Sequence, residues 1–345
     1  MGRKVVRVGM IGCGFQGRTH SEVITNYVPN AELVAVAGGS RAPSLAREYG
    51  VIAEKSVDLL LSRDDIDAVF INTPHSSHAE YTILAAESGK HVYVEKPMAT
   101  TVEDCDRMIS ACRRAGVKLM VGYTQRYRSG NAIAKRLIDE GEIGRILMIQ
   151  KVHLLADGIK LTPKWQSLPE NVGTLIGHGI HSIDMILWWI NGWGKLKSIF
   201  AKSGAFRIKS DVELSSMILM TFKNDVAATL WCSYECPPPG FPASNFRAYI
   251  MGDKGLLDVD GYGKLQLGIN DEWETVYVQP KIDWSSPDGM LSKVRLESFT
   301  ECDQEFINSI VEDREPAAPG EQGREGVKIA LLAYESSRLG KTLTL

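Results

Sequence analysis

An α/β N-terminal domain built on a doubly wound parallel sheet, followed by an α+β domain with a large, mainly antiparallel open sheet, is the fold class this sequence predicts. Three observations predict it. A strand-like run over 5–11 opens directly into Gly12-Cys13-Gly14-Phe15-Gln16-Gly17, short apolar runs then alternate with helical stretches to about Val121, and beyond that point strands are separated by turn residues. At 345 residues the chain exceeds a usual single domain, and 44% hydrophobic with 23% charged residues is an ordinary globular balance. The division expected is 1–122 and 123–345.

The first strand and its turn are the most informative element. In a G-x-G-x-x-G turn the first glycine allows a tight strand-to-helix turn, the second admits a pyrophosphate close to backbone, and the third lets the helix pack on the sheet. Gly12, Gly14 and Gly17 fill those places, flanked by Phe15 and Gln16. A helix over 16–27 follows, whose free N–H groups and positive dipole end suit a diphosphate, so a dinucleotide-binding Rossmann domain is expected. The second strand, over 33–37, runs into Gly38-Gly39-Ser40-Arg41 instead of the acidic residue that receives ribose hydroxyls in NAD-preferring folds. With no carboxylate to repel a 2′-phosphate, and with Ser40 and Arg41 able to bind one, the cofactor expectation leans toward NADP over NAD.

A buried strand then ends at Asn72-Thr73-Pro74, with His75 and His78 beyond it and a helix over 79–88. The next strand, over 91–94, runs into Glu95-Lys96-Pro97. A lysine partly desolvated beside a cationic nicotinamide has its ammonium form disfavoured twice, which moves it toward proton-transfer chemistry. After a helix over 132–141, strands are expected over 213–222, 226–234, 245–251, 264–269 and 275–279. Turns are expected at Lys223-Asn224-Asp225 and Gly252-Asp253-Lys254-Gly255, and the run Pro237-Pro238-Pro239-Gly240 reads as a loop. An open sheet leaves a broad face that needs cover, so a homodimer or homotetramer is expected.

Together with Val121-Gly122-Tyr123-Thr124-Gln125-Arg126-Tyr127 and Gly177-His178-Gly179-Ile180-His181-Ser182-Ile183-Asp184, these motifs resemble the Gfo/Idh/MocA family of sugar and cyclitol oxidoreductases, nearly end to end. The resemblance implies Lys96 beside the reacting hydroxyl, Glu95 on the nicotinamide ribose, a Lys96-Pro97 bond that is often cis, and His181 as a second proton-handling residue. The family's aspartate four places before that histidine is replaced here by Gly177. His178, His181 and Asp184 are spaced three apart and on a helix would share one side, so His178 or Asp184 could take part of the missing role. The same spacing could hold a divalent metal, but no fourth ligand is apparent and none is expected. Arg126, Tyr127 and Trp165 are further substrate-binding candidates, with His153 and Lys160 as weaker ones, and Trp165 within Pro163-Lys164-Trp165-Gln166 suits a pocket wall.

The function expected is hydride transfer between a nicotinamide and a hydroxyl-bearing carbon of a sugar, sugar derivative or cyclitol. Two alternatives use the same residues: an NAD-dependent glycosidase working by transient oxidation and elimination, and a non-catalytic cofactor-binding sensor motivated by Gly177. A formal net charge of −3 and the lack of a basic stripe argue against a nucleic-acid partner. No apolar stretch is long enough to span a bilayer, and residues 1–4 lead into a strand instead of a signal-peptide core, so a cytoplasmic protein without a membrane partner is expected. The six cysteines need form no disulfide at this size, and Cys232 with Cys236 lacks a second ligand pair for zinc.

Overall fold

The computed structural model describes residues 5–161, 164–242, 246–283 and 289–345. Residues 1–4, Pro163 and Asn245, each part of an expectation above, lie outside them. The chain forms two compact units, one of Met1–Tyr127 with Ile282–Arg324 and the other of Arg128–Lys281 with Glu325–Leu345. The uninterrupted second domain expected over 123–345 differs from this division by residues 123–127 and by the segment Ile282–Arg324, both of which belong to the first unit.

In the first unit, β1 (Val6–Ile11) leads into α1 (Phe15–Asn26), β2 (Ala31–Ala37), α2 (Ala42–Tyr49), β3 (Ile52–Ala53), α3 (Val57–Leu61), β4 (Ala68–Ile71), α4 (His78–Glu87), β5 (His91–Glu95), α5 (Val102–Ala115) and β6 (Leu119–Gly122). The boundaries follow local chemistry. Ser56 and Thr101 accept hydrogen bonds from Leu59 N and Asp104 N at the starts of α3 and α5, and α2 and α5 stop at Gly50 and Gly116 in the left-handed region. Glu103 and Asp104 sit in the first turn of α5 and Arg113 and Arg114 in its last, each matching the helix dipole. The strands pair in parallel in the order β3-β2-β1-β4-β5-β6. Chain direction across the sheet reverses between β1 and β4, and the turns after those two strands carry Gly12 and Asn72.

The second unit opens with α6 (Ser129–Glu140), β7 (Ile146–Ala156) and α7 (Ile180–Ile190), then runs through β8 (Leu196–Gly204), β9 (Ser215–Phe222), β10 (Ala227–Cys236), β11 (Arg247–Gly252), β12 (Leu256–Asp260), β13 (Lys264–Ile269) and β14 (Glu272–Val278). Next, α8 (Lys293–Val311) packs against α1 in the first unit, while α9 (Gly320–Leu339) starts in residues of the first unit and ends in those of the second, before β15 (Leu343–Thr344). The nine strands run β14-β13-β12-β11-β7-β10-β9-β8-β15, antiparallel except where β7 and β10 pair in parallel.

Paired residues share a sheet face, so the register sorts the side chains. Ile149, Leu230, Ile218, Met220, Ala248, Ile250 and Leu257 point into the core on one face. On the other, Phe200 pairs with Leu219, Met217 with Trp231, and Met148 with Met251, which pairs with Leu256. Met217 is 60% exposed and Trp273, at the far end of the same rows, 54%. This is the broad apolar face the sequence leads one to expect.

Strands β7, β8, β12 and β15 are additions to the expected set. In β7 the reason is visible: Lys151 and His153 take inward positions beside Ile149, so polar residues stand where alternation calls for apolar ones.

Candidate active site

The glycine turn is sterically fixed. Gly12 has φ +93°, and a Cβ there would lie 2.7 Å from the Asn72 carbonyl, whereas a Cβ on Gly17 would lie 2.0 Å from Gly12 O. Gly14 is the residue before α1, with open space around it except that a Cβ would come within 3.5 Å of the Arg41 guanidinium. Ser40 is exposed beside Arg41, which is the residue preceding α2. Two polar atoms near this turn, Gln16 Oε1 and Asn72 Oδ1, are buried without a hydrogen-bond partner. An open helix N-terminus, a backbone that only glycine can follow and two unsatisfied acceptors fit a dinucleotide carrying hydroxyl and amide donors. Phe15 is about half exposed and lies under the Arg295 guanidinium, 4.8 Å from its ring centroid.

At the end of β5 the Lys96-Pro97 bond is cis. Glu95 is buried, and each of its oxygens is engaged: Oε1 accepts from His20 Nε2 at 3.1 Å and Gln16 Nε2 at 3.3 Å, and Oε2 from Lys96 N at 3.1 Å. Burial alone would raise the Glu95 pKa, but His20, Lys96 and His78 outweigh it and hold it below the ordinary value. Burial lowers the Lys96 pKa, opposed by the Glu95 charge. His78 bridges the neighbouring turns, with Nδ1 2.8 Å from Pro97 O and Nε2 2.9 Å from Thr73 O. Both partners are acceptors, so only the doubly protonated ring satisfies both, while burial drives its pKa down. Thr73 Oγ1 in turn accepts from Ser77 Oγ at 2.8 Å, next to Pro74.

The other candidates divide by unit. Arg126 is buried in the first unit and donates to Ala317 O and Gln322 Oε1, both at 2.8 Å, so its guanidinium ties the returning segment. Tyr127 follows it, half-buried. In the second unit, residues Leu175–Gly179 form a π-helical turn leading into α7. The wider turn takes His178 out of the α-helical spacing it was expected to share with His181 and Asp184. Gly179 permits the packing, since a Cβ there would approach Cys232 Sγ on β10 at 3.0 Å. His178 stacks on Tyr234 at 4.4 Å and reaches Gln166 Oε1 at 3.0 Å. His153 meets Tyr234 at 5.6 Å and Phe246 at 5.2 Å, and His181 meets Phe246 at 6.5 Å. These three imidazoles and two aromatic rings therefore form one cluster. Asp184 is buried on α7, half-buried Trp165 lies on a short 3-10 turn where its carbonyl accepts from Asn171 Nδ2, and Lys160 is exposed and paired with Asp157. Among the described residues, no group of three His, Cys, Asp or Glu side chains is placed to hold a metal ion, and all six cysteines are free and buried.

Three residues are not singled out by the sequence reading. His20 in α1 lies between Glu95 and Asp303 of α8, with Nδ1 2.8 Å from Asp303 Oδ2. Lys151 of β7 is 1% exposed, its Nζ has no hydrogen-bond partner, and it sits 3.4 Å from the centroid of Phe246. A histidine one turn beyond Gly17 was the available signal for the first; nothing local marks the other two.

Comparison with known proteins bears on the family and the fold. Residues 6–123 match the GFO_IDH_MocA oxidoreductase family, NAD-binding Rossmann fold, and residues 132–258 match the GFO/IDH/MocA C-terminal domain. The chain is 33% identical over 270 residues to a 2,7-anhydro-N-acetylneuraminate hydratase of Escherichia coli, covering 76% of this chain and 71% of that protein. It is 35% identical over 192 residues to inositol 2-dehydrogenase 3 of Saccharopolyspora erythraea, covering 54% of each. Among solved structures, a levoglucosan dehydrogenase in complex with NADH shares the fold with a TM-score of 0.85 at 23% identity, over 99% of both chains. An oxidoreductase from Agrobacterium radiobacter, in complex with NAD+, L-tartaric acid and magnesium, does so with 0.87 at 20%, over 98% of both. With both of its domains matched, and a relative 33% identical over 71% of that protein's length, the chain belongs to the Gfo/Idh/MocA oxidoreductase family.

Proposed function

We propose that this oxidoreductase interconverts a secondary hydroxyl and a carbonyl on a sugar, sugar derivative or cyclitol, with Lys96 and His181 as the proton-handling residues. The observation that carries the reading is Lys96: a lysine whose ammonium form is disfavoured by burial, next to a carboxylate held ionised. A dinucleotide whose diphosphate is held at the glycine turn would supply the hydride acceptor or donor through its nicotinamide. Gly12, Gly14, Gly17 and the N-terminus of α1 would hold the diphosphate, with Asn72, Thr73, Pro74 and His78 lining the next turn and Glu95 accepting from ribose hydroxyls. In the oxidative direction the neutral Lys96 amine takes the hydroxyl proton, and in the reductive direction its ammonium returns it. His181 serves as second acceptor, with Asp184 and His178 on adjoining turns and Trp165, Arg126 and Tyr127 as further substrate contacts.

Arg41 supports a preference for NADP, because its guanidinium lies by the glycine turn and no carboxylate follows β2. The apolar rows of the nine-stranded sheet support a homodimer or homotetramer through that face. A redox-neutral variant of the chemistry, oxidation followed by elimination and re-reduction, is the second reading; a hydratase at 33% identity favours it.

The test is absorbance in the reduced-nicotinamide band, with NAD and NADP in turn, over a panel of sugars, cyclitols and anhydrosugars. Growth of the band with one polyol, lost in Lys96→Met with cofactor affinity retained, is the expected result. An Arg41→Ala variant loses about tenfold in NADP affinity, one charge-assisted phosphate contact, and little in NAD affinity. Unchanged turnover in Lys96→Met would overturn the catalytic assignment. Product formed from an anhydrosugar without net growth of the band would favour the redox-neutral reading.

A further inference from the structure

His20 is completely buried, and both ring nitrogens face carboxylates: Nδ1 lies 3.0 and 2.8 Å from the two oxygens of Asp303, and Nε2 lies 3.1 Å from Glu95 Oε1. Phe70, Tyr93 and Phe299 surround the ring at centroid distances of 5.1 to 5.5 Å, so its other neighbours are aromatic faces and edges. A neutral imidazole could donate to only one of these two acceptors. Two carboxylates in an aromatic box, with one proton donor between them, leave one buried charge uncompensated, which is strongly unfavourable. The doubly protonated ring donates to both at once.

We propose that His20 is a positioning residue, an imidazolium clamped between Asp303 and Glu95 that keeps Glu95 ionised and aimed at the cofactor ribose. The inference rests on the reading of Glu95 as a cofactor-holding carboxylate. Charge supports it: burial alone would lower the His20 pKa, but Asp303 and Glu95 overcome this and push it up to about 9. Burial raises Asp303 to about 6, against the pull of His20, so the pair is ionised at neutral pH. The other titratable groups at the triad are Tyr93 and Cys302, whose hydroxyl and thiol lie 3.5 Å apart and are both held neutral by burial, and Lys96 and His78, which act on Glu95. The clamp also bears on catalysis. Glu95 raises the proton affinity of Lys96, and the imidazolium facing Glu95 from the other side tempers that effect, so the lysine gives up its proton more readily.

Two measurements test this. The first uses native protein without cofactor: histidine-ring ¹⁵N NMR, with the His20 resonance assigned by its absence in His20→Asn. One imidazolium persisting at pH 8 among the seven histidines is expected. All rings neutral at pH 8 would overturn the proposal, whatever the fate of the functional reading. The second is NADH binding followed by nucleotide fluorescence between pH 6.5 and 8, where both Asp303 and His20 stay charged in the native protein. Native protein should show a flat profile. In His20→Asn, Glu95 shares its pocket with Asp303 without a cation, so affinity should fall about tenfold at pH 6.5 and recover as pH rises. The double variant His20→Asn/Asp303→Asn removes the repelling carboxylate and should shift that recovery toward acid. A purely structural role would lower stability and leave the profile flat, and a flat His20→Asn profile therefore overturns the proposal. Should His20→Asn fail to fold, Asp303→Asn gives the same comparison from the other side: its His20 should titrate below the native value in the NMR experiment. An unshifted titration overturns the clamp. An intact imidazolium with cofactor affinity indifferent to Glu95→Gln would leave the clamp standing and remove Glu95 from the cofactor site.

Discussion

Replacing Lys151 by methionine should make the protein more stable near neutral pH and remove a specific part of its pH dependence. The Nζ is buried with no hydrogen-bond partner, and Phe246 offers only its ring face. Burial drives the lysine pKa well below its ordinary value, against opposing contributions from Asp260 and Cys232. The sign follows directly. Between the lowered native pKa and the unfolded value of about 10.4, the unfolded chain binds one more proton than the native one, so native stability rises with pH by about 1.4 kcal/mol per unit. Methionine fills a similar volume and carries no such slope. Across that interval the native protein should therefore gain on Lys151→Met by about 1.4 kcal/mol per pH unit, starting from the less stable position. Urea unfolding of the two proteins side by side, followed by tryptophan fluorescence, reads the difference. Parallel pH profiles, or a variant less stable than native at pH 7.5, would refute the reasoning and show that the ring holds the ammonium at little cost.

Two further outcomes are expected. Gly17→Ala places a Cβ 2.0 Å from Gly12 O, so α1 must move off the turn; NADH affinity should drop at least about tenfold in a fluorescence titration, with only a modest change in melting temperature. Glu213 accepts from Leu175 N at 2.9 Å, Ser216 Oγ at 2.7 Å and Tyr334 Oη at 3.0 Å, and so pins the start of the π turn that carries His178; Glu213→Ala should cost about 3 kcal/mol by thermal unfolding and lower kcat more than NADH affinity.

What was legible in the sequence was what local sterics dictate. Gly12 and Gly17 announce the turn because no other residue fits it, and Glu95-Lys96-Pro97 stands out because charge follows directly on a buried strand. The second sheet was half legible: β9, β10 and β13 alternate cleanly, whereas β7 hides behind an inward lysine and histidine. The π turn left no trace, since His178, His181 and Asp184 are spaced equally well for an ordinary helix. The Asp303–His20 pair was not legible either, because its partners are 283 residues apart and each alone reads as a polar residue on a helix.

That separation has a consequence for how the molecule is made. On the ribosome, β1 to β6 emerge before the second sheet, with an imidazole and a carboxylate already committed to the interior, while the aspartate that completes their charge balance follows the imidazole by 283 residues. Every strand of the second sheet except β15 must be synthesised while the nucleotide half waits unfinished. Vectorial folding one domain at a time is thus denied to this chain: the half translated first is electrostatically complete only once α8 has left the exit tunnel.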